Sequence, residues 1–260
     1  METPRLLDGK VAVVFGVANK WSIAWGVAAR FAEAGAKLVV TYQDERLKEK
    51  VLPLTDTLSD CLTCRCDLTV PEDVDRTFAL VEKECGRLDT VVHSVAYALR
   101  ADLEGRFSDT GAEGFGTAHA VSAYTLVAAA RGGRALLEKS GGGSLLAMTY
   151  YGSEKVIPNY NVMGVAKASL EATIRYLAAD LGPANIRVNG LSPGPISTLA
   201  ARGIGGFTSM LQHVREKSPL RSNVEPEDVG DAALFLASDL AKRITGEVIH
   251  IDSGYHIMGM

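Results

Sequence analysis

The sequence predicts an α/β protein: a doubly wound parallel sheet of seven strands flanked by helices. Three observations predict it. Short apolar runs alternate with longer helical patterns along all 260 residues. The first run, within 10–15, is continuously apolar, as a parallel strand covered on both faces requires. A glycine, Gly16, follows that run directly, and a helical pattern opens at Ser22.

The elements follow in order. Ser22 caps a helix running through Ala34, with Gly35 as its C-cap. Residues 37–42 form strand two. Residues 44–54 read as a helix with a charged outer face, and 62–66 as strand three. Pro71 opens a helix to Cys85, since proline suits a first helical turn. Residues 88–92 are strand four. Residues 113–138 are largely helical, with Gly132-Gly133 weakening the end. Strand five is 144–149, a helix spans 160–181, strand six is 186–191, a helix spans 226–239, and strand seven is 248–251. With no linker, repeat or low-complexity tract, residues 1–260 read as a single domain.

Two stretches break the rhythm: 97–111 is polar and glycine-punctuated, and 192–221 is a longer insert with a short helix near 210–216. Both follow C-terminal strand ends, where open α/β sheets bind ligands. Residues 195–219 are therefore expected to form a mobile substrate-binding insert. An ordered insert used only for packing is the alternative.

Composition narrows the classes. The hydrophobic fraction is 47% and the formal charge is −4, with no Lys/Arg-rich run, so nucleic acid is not expected as a partner. Nothing approaches the apolar length of a membrane span, and the N-terminus lacks a signal-peptide core, which points to the cytoplasm. Cys61, Cys64 and Cys66 cluster, but no second ligand pair follows and the segment reads as a strand, so buried thiols are expected rather than a metal site.

The chemistry gathers at strand ends. The turn Gly16-Val-Ala-Asn-Lys-Trp-Ser22-Ile23-Ala is a strand–glycine–helix transition, which aims backbone donors and a positive helix end at one point, as a dinucleotide requires. It is not the common GxGxxG pattern, and a purely structural turn is the alternative. Strand two ends at Gln43-Asp44-Glu45, acceptors that suit a ribose 2′-hydroxyl and repel a 2′-phosphate. This favours NADH over NADPH; Arg46 and Lys48 are the residues that could reverse it. Asp67 and Leu68 after strand three can meet the adenine. Ser94 and Val95 after strand four border the ribose or nicotinamide, and His93 reads as structural rather than as a general acid.

Tyr160 and Lys167 lie seven residues apart. On a helix that is almost two turns, about 10 Å along one face. A nearby ammonium favours phenolate and lowers a tyrosine's pKa. Lysine can also bond ribose hydroxyls, while tyrosine can donate to a substrate oxygen that gains charge as hydride arrives. Alone, such a pair arises by chance. Together with the cofactor turn and Tyr150 at the end of strand five, it points to a reductase.

These residues carry a resemblance covering essentially the whole chain. The stretches 16–24, 41–43, 66–67 and 93–94, Tyr150, the phrase Ile157-Pro-Asn-Tyr160-Asn-Val-Met-Gly-Val-Ala-Lys167 and Ser192-Pro-Gly-Pro-Ile196-Ser-Thr198 resemble the bacterial-type NADH-dependent enoyl-acyl-carrier-protein reductases, a divergent branch of the short-chain dehydrogenase/reductases. Ordinary relatives carry Tyr-x-x-x-Lys and a serine 13 residues before the tyrosine; here those positions are Gly164 and Ala147. The resemblance implies a Rossmann-type fold and reduction of the trans-2 double bond of an enoyl chain on acyl carrier protein. It implies Tyr150, Tyr160 and Lys167 as catalytic residues, and Gly16, Ser22, Ile23, Gln43, Asp67, Leu68, Ser94, Val95, Lys167, Ile196 and Thr198 as cofactor contacts. It implies Ala98, Tyr150, Tyr160, Ala200, Ile204 and Phe207 as substrate contacts, with Met210 beside them, no metal, and a homotetramer. Pro193 stands where alanine is common, and Val95-Ala-Tyr97 where Ile-Gly-Phe is frequent. The rival reading is a carbonyl or 3-oxoacyl thioester reductase, which the absent serine and Tyr-x-x-x-Lys disfavour. A non-catalytic nucleotide-binding scaffold is the remaining alternative.

Overall fold

In the computed structural model, residues 5–198, 201 and 206–259 are described. Seven strands form one parallel sheet: β1 (Val11–Phe15), β2 (Lys37–Tyr42), β3 (Cys61–Arg65), β4 (Thr90–His93), β5 (Gly143–Met148), β6 (Ile186–Pro193) and β7 (Val248–Ile251). Their order is β3-β2-β1-β4-β5-β6-β7, so the winding reverses between β1 and β4 and opens a crevice at their C-terminal ends.

The helices are α1 (Ile23–Glu33), α2 (Glu45–Thr55), α3 (Pro71–Cys85), α4 (Ala112–His119), α5 (Thr125–Lys139), α6 (Asn161–Leu181), α7 (Phe207–Lys217) and α8 (Pro226–Ala237). Strand alternation sorts the core into two layers. Val11, Val13 and Phe15 face α3, α5 and α6, meeting Phe78, Leu126, Leu170 and Ile174. Ala12 and Val14 face α1 and α8, meeting Val27, Phe31, Val229 and Leu236. Each large buried side chain contributes about 1.5–3 kcal/mol.

Several expectations shift. Gly132-Gly133 does not weaken the end of its helix, because α5 runs through both; a Cβ on Gly132 would fall 2.6 Å from the Phe78 ring, so glycine there admits α3. A π-helical turn, Ala120–Tyr124, joins α4 to α5. β6 extends to Pro193 because β7 pairs as far as Pro193↔Ile251. Gly26 serves helix packing: a Cβ would meet the Pro226 carbonyl of α8 at 2.4 Å. The cysteines are free and sit in strand surroundings, with Cys64 and Cys66 against the α3 layer and Cys61 against the other; burial raises all three thiols. Among the described residues no helix is long and apolar enough to cross a membrane, and no group could hold a metal ion.

Candidate active site

The crevice begins at Gly16. Its φ is +100°, and a Cβ would fall 2.0 Å from the Ser94 carbonyl oxygen. Only glycine lets the β1 and β4 ends approach so closely. Ser22 does not cap α1 through its side chain as expected. Its Oγ instead accepts from the amides of Ala18 (3.1 Å) and Asn19 (3.0 Å), which folds the 16–22 turn back on itself. Ile23 packs against the core below the turn.

At the β2 end, Gln43 Nε2 donates to Asp67 Oδ2 at 2.8 Å, joining two residues 24 apart in sequence. Asp67 Oδ1 accepts from the amide (2.9 Å) and hydroxyl (2.6 Å) of Thr69. Partial burial opposes ionisation, but the bonds from Gln43 and Thr69 and the nearby Arg65 outweigh it and hold the carboxyl below its usual value. Asp44 caps α2, accepting from the Leu47 amide at 2.8 Å. Arg46 lies 4.0 Å from Asp44 and Lys48 lies 3.0 Å from Glu45, so both cations are engaged by acids. Leu68 is buried in the core, which leaves Gln43 and Asp67 as this corner's polar face.

The other corner is dry. Tyr160 stands at the N-cap of α6 rather than within the helix, held between Asn159 (φ 61°) and Asn161 (φ 33°). Left-handed backbone on both sides turns the chain sharply, and asparagine tolerates it. The Tyr160 ring meets Tyr150 edge-on, with centroids 5.0 Å apart. Gly152 makes room, since a Cβ there would lie 2.6 Å from the Tyr160 ring, and Gly164 lets α6 approach the Gly152 carbonyl. Burial pushes the Tyr150 phenol up to about 12, helped by Tyr255 and Asp252. Burial and Tyr150 raise Tyr160 further still.

The expectation that Lys167 lowers the Tyr160 pKa is therefore corrected. Desolvation dominates, and Tyr160 stays a phenol. Lys167 is buried, its Nζ donating to the Met148 carbonyl at 2.7 Å; burial lowers its ammonium to about 8, against the upward pull of Glu171. His93 is fully buried and shares a 2.8 Å bond with Thr125 Oγ1. Burial and the Lys167 charge push it down to about 3, so it is a neutral, structural histidine.

Ala98 and Tyr160 pack on one apolar cluster with Val162, Met163 and Ala166, while Val95 packs against the main core. Ser122, in the π turn, brackets Tyr97 by accepting from its amide (3.0 Å) and donating to its carbonyl (3.2 Å). On α7 Phe207 is buried, and Met210 Sδ accepts from the Tyr150 hydroxyl at 3.5 Å. A 680 Å³ cavity lined by Ser197, Phe207, Thr208, Leu211 and Gln212 lies at the start of α7. Ile196 is buried, and Thr198 Oγ1 accepts from the Ala201 amide at 3.1 Å. Ala200 and Ile204 lie outside the described residues.

Sequence reasoning missed three contributors: Gly152, Ser122 and Glu171. The first two act through close approach and a long-range bond that no local pattern announces. Glu171 is four residues after Lys167, and that spacing was available as a signal.

The switch-point crevice, with the Tyr150–Tyr160 pair and Lys167 at its dry end, defines a dinucleotide-binding α/β reductase of the short-chain type. A family profile described as Enoyl-(Acyl carrier protein) reductase matches residues 16–256. An enoyl-acyl-carrier-protein reductase (NADH) of Bacillus cereus is 51% identical over 257 residues, covering 98% of this chain and 100% of the relative. An enoyl-acyl-carrier-protein reductase (NADPH) of Staphylococcus aureus is 47% identical, covering 96% and 98%. The crystal structure of the Bacillus cereus enoyl-acyl carrier protein reductase with NADP+ and indole naphthyridinone superposes with a TM-score of 0.96 at 50% identity, covering 98% and 99%. The chain belongs to the enoyl-acyl-carrier-protein reductase family.

Proposed function

We propose that the chain reduces the trans-2 double bond of enoyl chains carried as thioesters on acyl carrier protein, with NADH as cofactor, in fatty acid elongation. The observation that carries this reading is the dry Tyr150–Tyr160 pair with lysine seven residues on, where a carbonyl reductase has Tyr-x-x-x-Lys and a serine. The residues fit the cofactor: the 16–22 turn with Ser94 forms a cradle that a single Cβ would fill. Gly16, Ser22, Ile23, Ser94 and Val95 would hold its middle, Gln43 and Asp67 with Leu68 its adenosine end, and Lys167, Ile196 and Thr198 its nicotinamide end. Bound NADH supplies the hydride added at C3.

Negative charge then moves to the thioester oxygen. Tyr160, kept protonated by burial, donates a hydrogen bond to that oxygen. A proton delivered to C2 completes the saturated thioester. Lys167 orients the ribose, and its charge steadies the developing enolate. Tyr150 walls the acyl pocket with Ala98 and Phe207; Ala200 and Ile204, further candidates, lie outside the described residues. Asp44 and Glu45 disfavour a 2′-phosphate, which selects NADH over NADPH.

Residues 1–260 act as a single domain in this reading, with 195–219 as a lid on the acyl channel. The exposed Arg215, Lys217 and Arg221 near the lid suit acidic acyl carrier protein; Arg202, a further candidate, lies outside the described residues. Phe115 and Tyr124 near α4, and Val165 and Tyr176 on α6, expose apolar surface suited to a homotetramer. A cytoplasmic location matches the reading.

The test follows reduced-cofactor absorbance with purified protein, NADH or NADPH, and crotonyl or longer enoyl thioesters. Turnover with NADH on enoyl thioesters and none on 3-oxoacyl thioesters is the expected result. No turnover on any enoyl thioester would defeat the reading.

A further inference from the structure

The mechanism leaves a buried acid beside Lys167 unused. Glu171, on α6 four residues after Lys167, is 9% exposed. A carboxylate does not stay buried without bonds. Its Oε1 accepts from the Thr149 hydroxyl at 2.6 Å and from the Ser153 hydroxyl at 2.6 Å. Thr149 and Ser153 bracket Tyr150 and Gly152, the residues against which Tyr160 packs. Lys167 ties the same helix to the same strand end through the Met148 carbonyl.

We infer that Glu171 is a positioning residue: its carboxylate clamps the Tyr150 segment to α6 and, one turn from Lys167 on the same helix face, stands as the counter-charge to its ammonium. The two tasks share one geometry. α6 presents Lys167 and Glu171 on one face. The ammonium and the hydroxyls of the 149–153 segment occupy the gap between that face and the end of β5.

Among the surrounding titratable groups Glu171 is the available counter-charge, since the buried Asp252 is bonded to His256. His93 at the end of β4 is pushed down to about 3 and is neutral at working pH. Tyr150 is held up at about 12, and Tyr160 is also protonated. Glu171 pulls Lys167 upward while burial drags it down to about 8. The inference rests on the reading of Lys167 as the ribose anchor.

NADH binding measured by fluorescence across pH tests both and separates them. Wild-type protein should lose affinity above about pH 8, as Lys167 gives up its proton. Glu171→Gln should move that midpoint down, so that NADH binds severalfold more weakly than to wild type at pH 8.5 and equally well at pH 6. Glu171→Asp keeps the charge and should stay near the wild-type midpoint. A Thr149→Val/Ser153→Ala double variant keeps the charge but frees the segment: the NADH midpoint should hold while the KM for enoyl thioester rises.

A pH-independent wild-type affinity would sink the ribose-anchor reading itself. A pH-dependent wild type with an unmoved Glu171→Gln midpoint, or one equally weakened at every pH, would overturn only the inference about Glu171. Should Glu171→Gln not fold, the other two variants decide: a displaced Glu171→Asp midpoint or an unchanged enoyl KM in the double variant overturns it.

Discussion

The two ends of the cofactor crevice are built on opposite electrostatic plans. At the β2–β3 end, polar groups lie near the surface. Asp67 is held below its usual value by Gln43, Thr69 and Arg65, and Asp44 caps α2. At the β5–α6 end, burial strips charge. Tyr150 and Tyr160 are pushed up, while His93 and Lys167 are pushed down. In the proposed reading, the exposed end selects the cofactor through fixed charges, and the buried end performs chemistry through phenols kept uncharged by burial, where each remaining interaction is stronger.

Breaking the dry end should have the largest effect. Tyr160→Phe removes the proposed donor to the thioester oxygen but keeps the ring that packs on Tyr150, Gly152 and the cluster of Val162, Met163 and Ala166. kcat/KM should fall by about 10²–10³-fold. NADH affinity, measured by fluorescence titration, should stay within about twofold, as the proposed role of the phenol toward substrate requires. Equal losses in both would mean that the tyrosine serves the cofactor.

Lys167→Ala comes next. Losing a charge-assisted bond of about 1.5–3 kcal/mol should weaken NADH roughly 10–100-fold, and turnover should fall as well. The sign of the pH dependence follows from the lowered value. Below about pH 8 the ammonium is charged and binds ribose; above it, binding fades. Fold stability moves the other way. Between about pH 8 and the ordinary lysine value of 10.5 the unfolded chain binds more protons, so this group's contribution to stability rises with pH. Opposite slopes for NADH affinity and thermal midpoint across that window, absent in Lys167→Ala, would support this assignment.

Perturbing the exposed end should change selectivity more than rate. Asp44→Asn removes one charge facing a 2′-phosphate, worth about 1 kcal/mol at an exposed site. The NADPH/NADH ratio of kcat/KM should rise about 5-fold at low salt, and the rise should shrink as salt is added. The smallest effect belongs to the surface. Arg215→Glu with Lys217→Glu should raise KM severalfold for carrier-linked enoyl chains and leave a small thioester unaffected. Equal changes on both substrates would remove these residues from carrier recognition.

Much of this architecture is legible in the sequence because it is local. All seven strands and most of the main helices follow from periodicity and punctuation, with boundaries displaced by a residue or two at most elements, although the single helix expected over 113–138 is α4 and α5 joined by a π turn. The exposed corner is also local in kind: Gln43 and Asp67 end consecutive strands, and parallel pairing brings them together. The dry corner is not. That Tyr160 leaves the helix depends on two left-handed asparagines, which the helical period hides. The direction of its pKa depends on burial by Tyr150 and Gly152. A pairwise argument from Lys167 alone inverts the sign. Gly132-Gly133 shows the same limit, since its meaning lies in Phe78 of a helix about fifty residues away.

The central claim is that Tyr160 works as a neutral donor in a desolvated corner, not as a phenolate set up by Lys167. Carbon-13-labelled tyrosine, with the Tyr160 ring resonance assigned by its loss in Tyr160→Phe, lets the ionisation be followed directly through a pH titration. The account predicts that Tyr160 remains a phenol throughout the range where the protein stays folded, beyond the ordinary tyrosine value of about 10. A Tyr160 midpoint below about 9 that rises when Lys167 is replaced by alanine would contradict it.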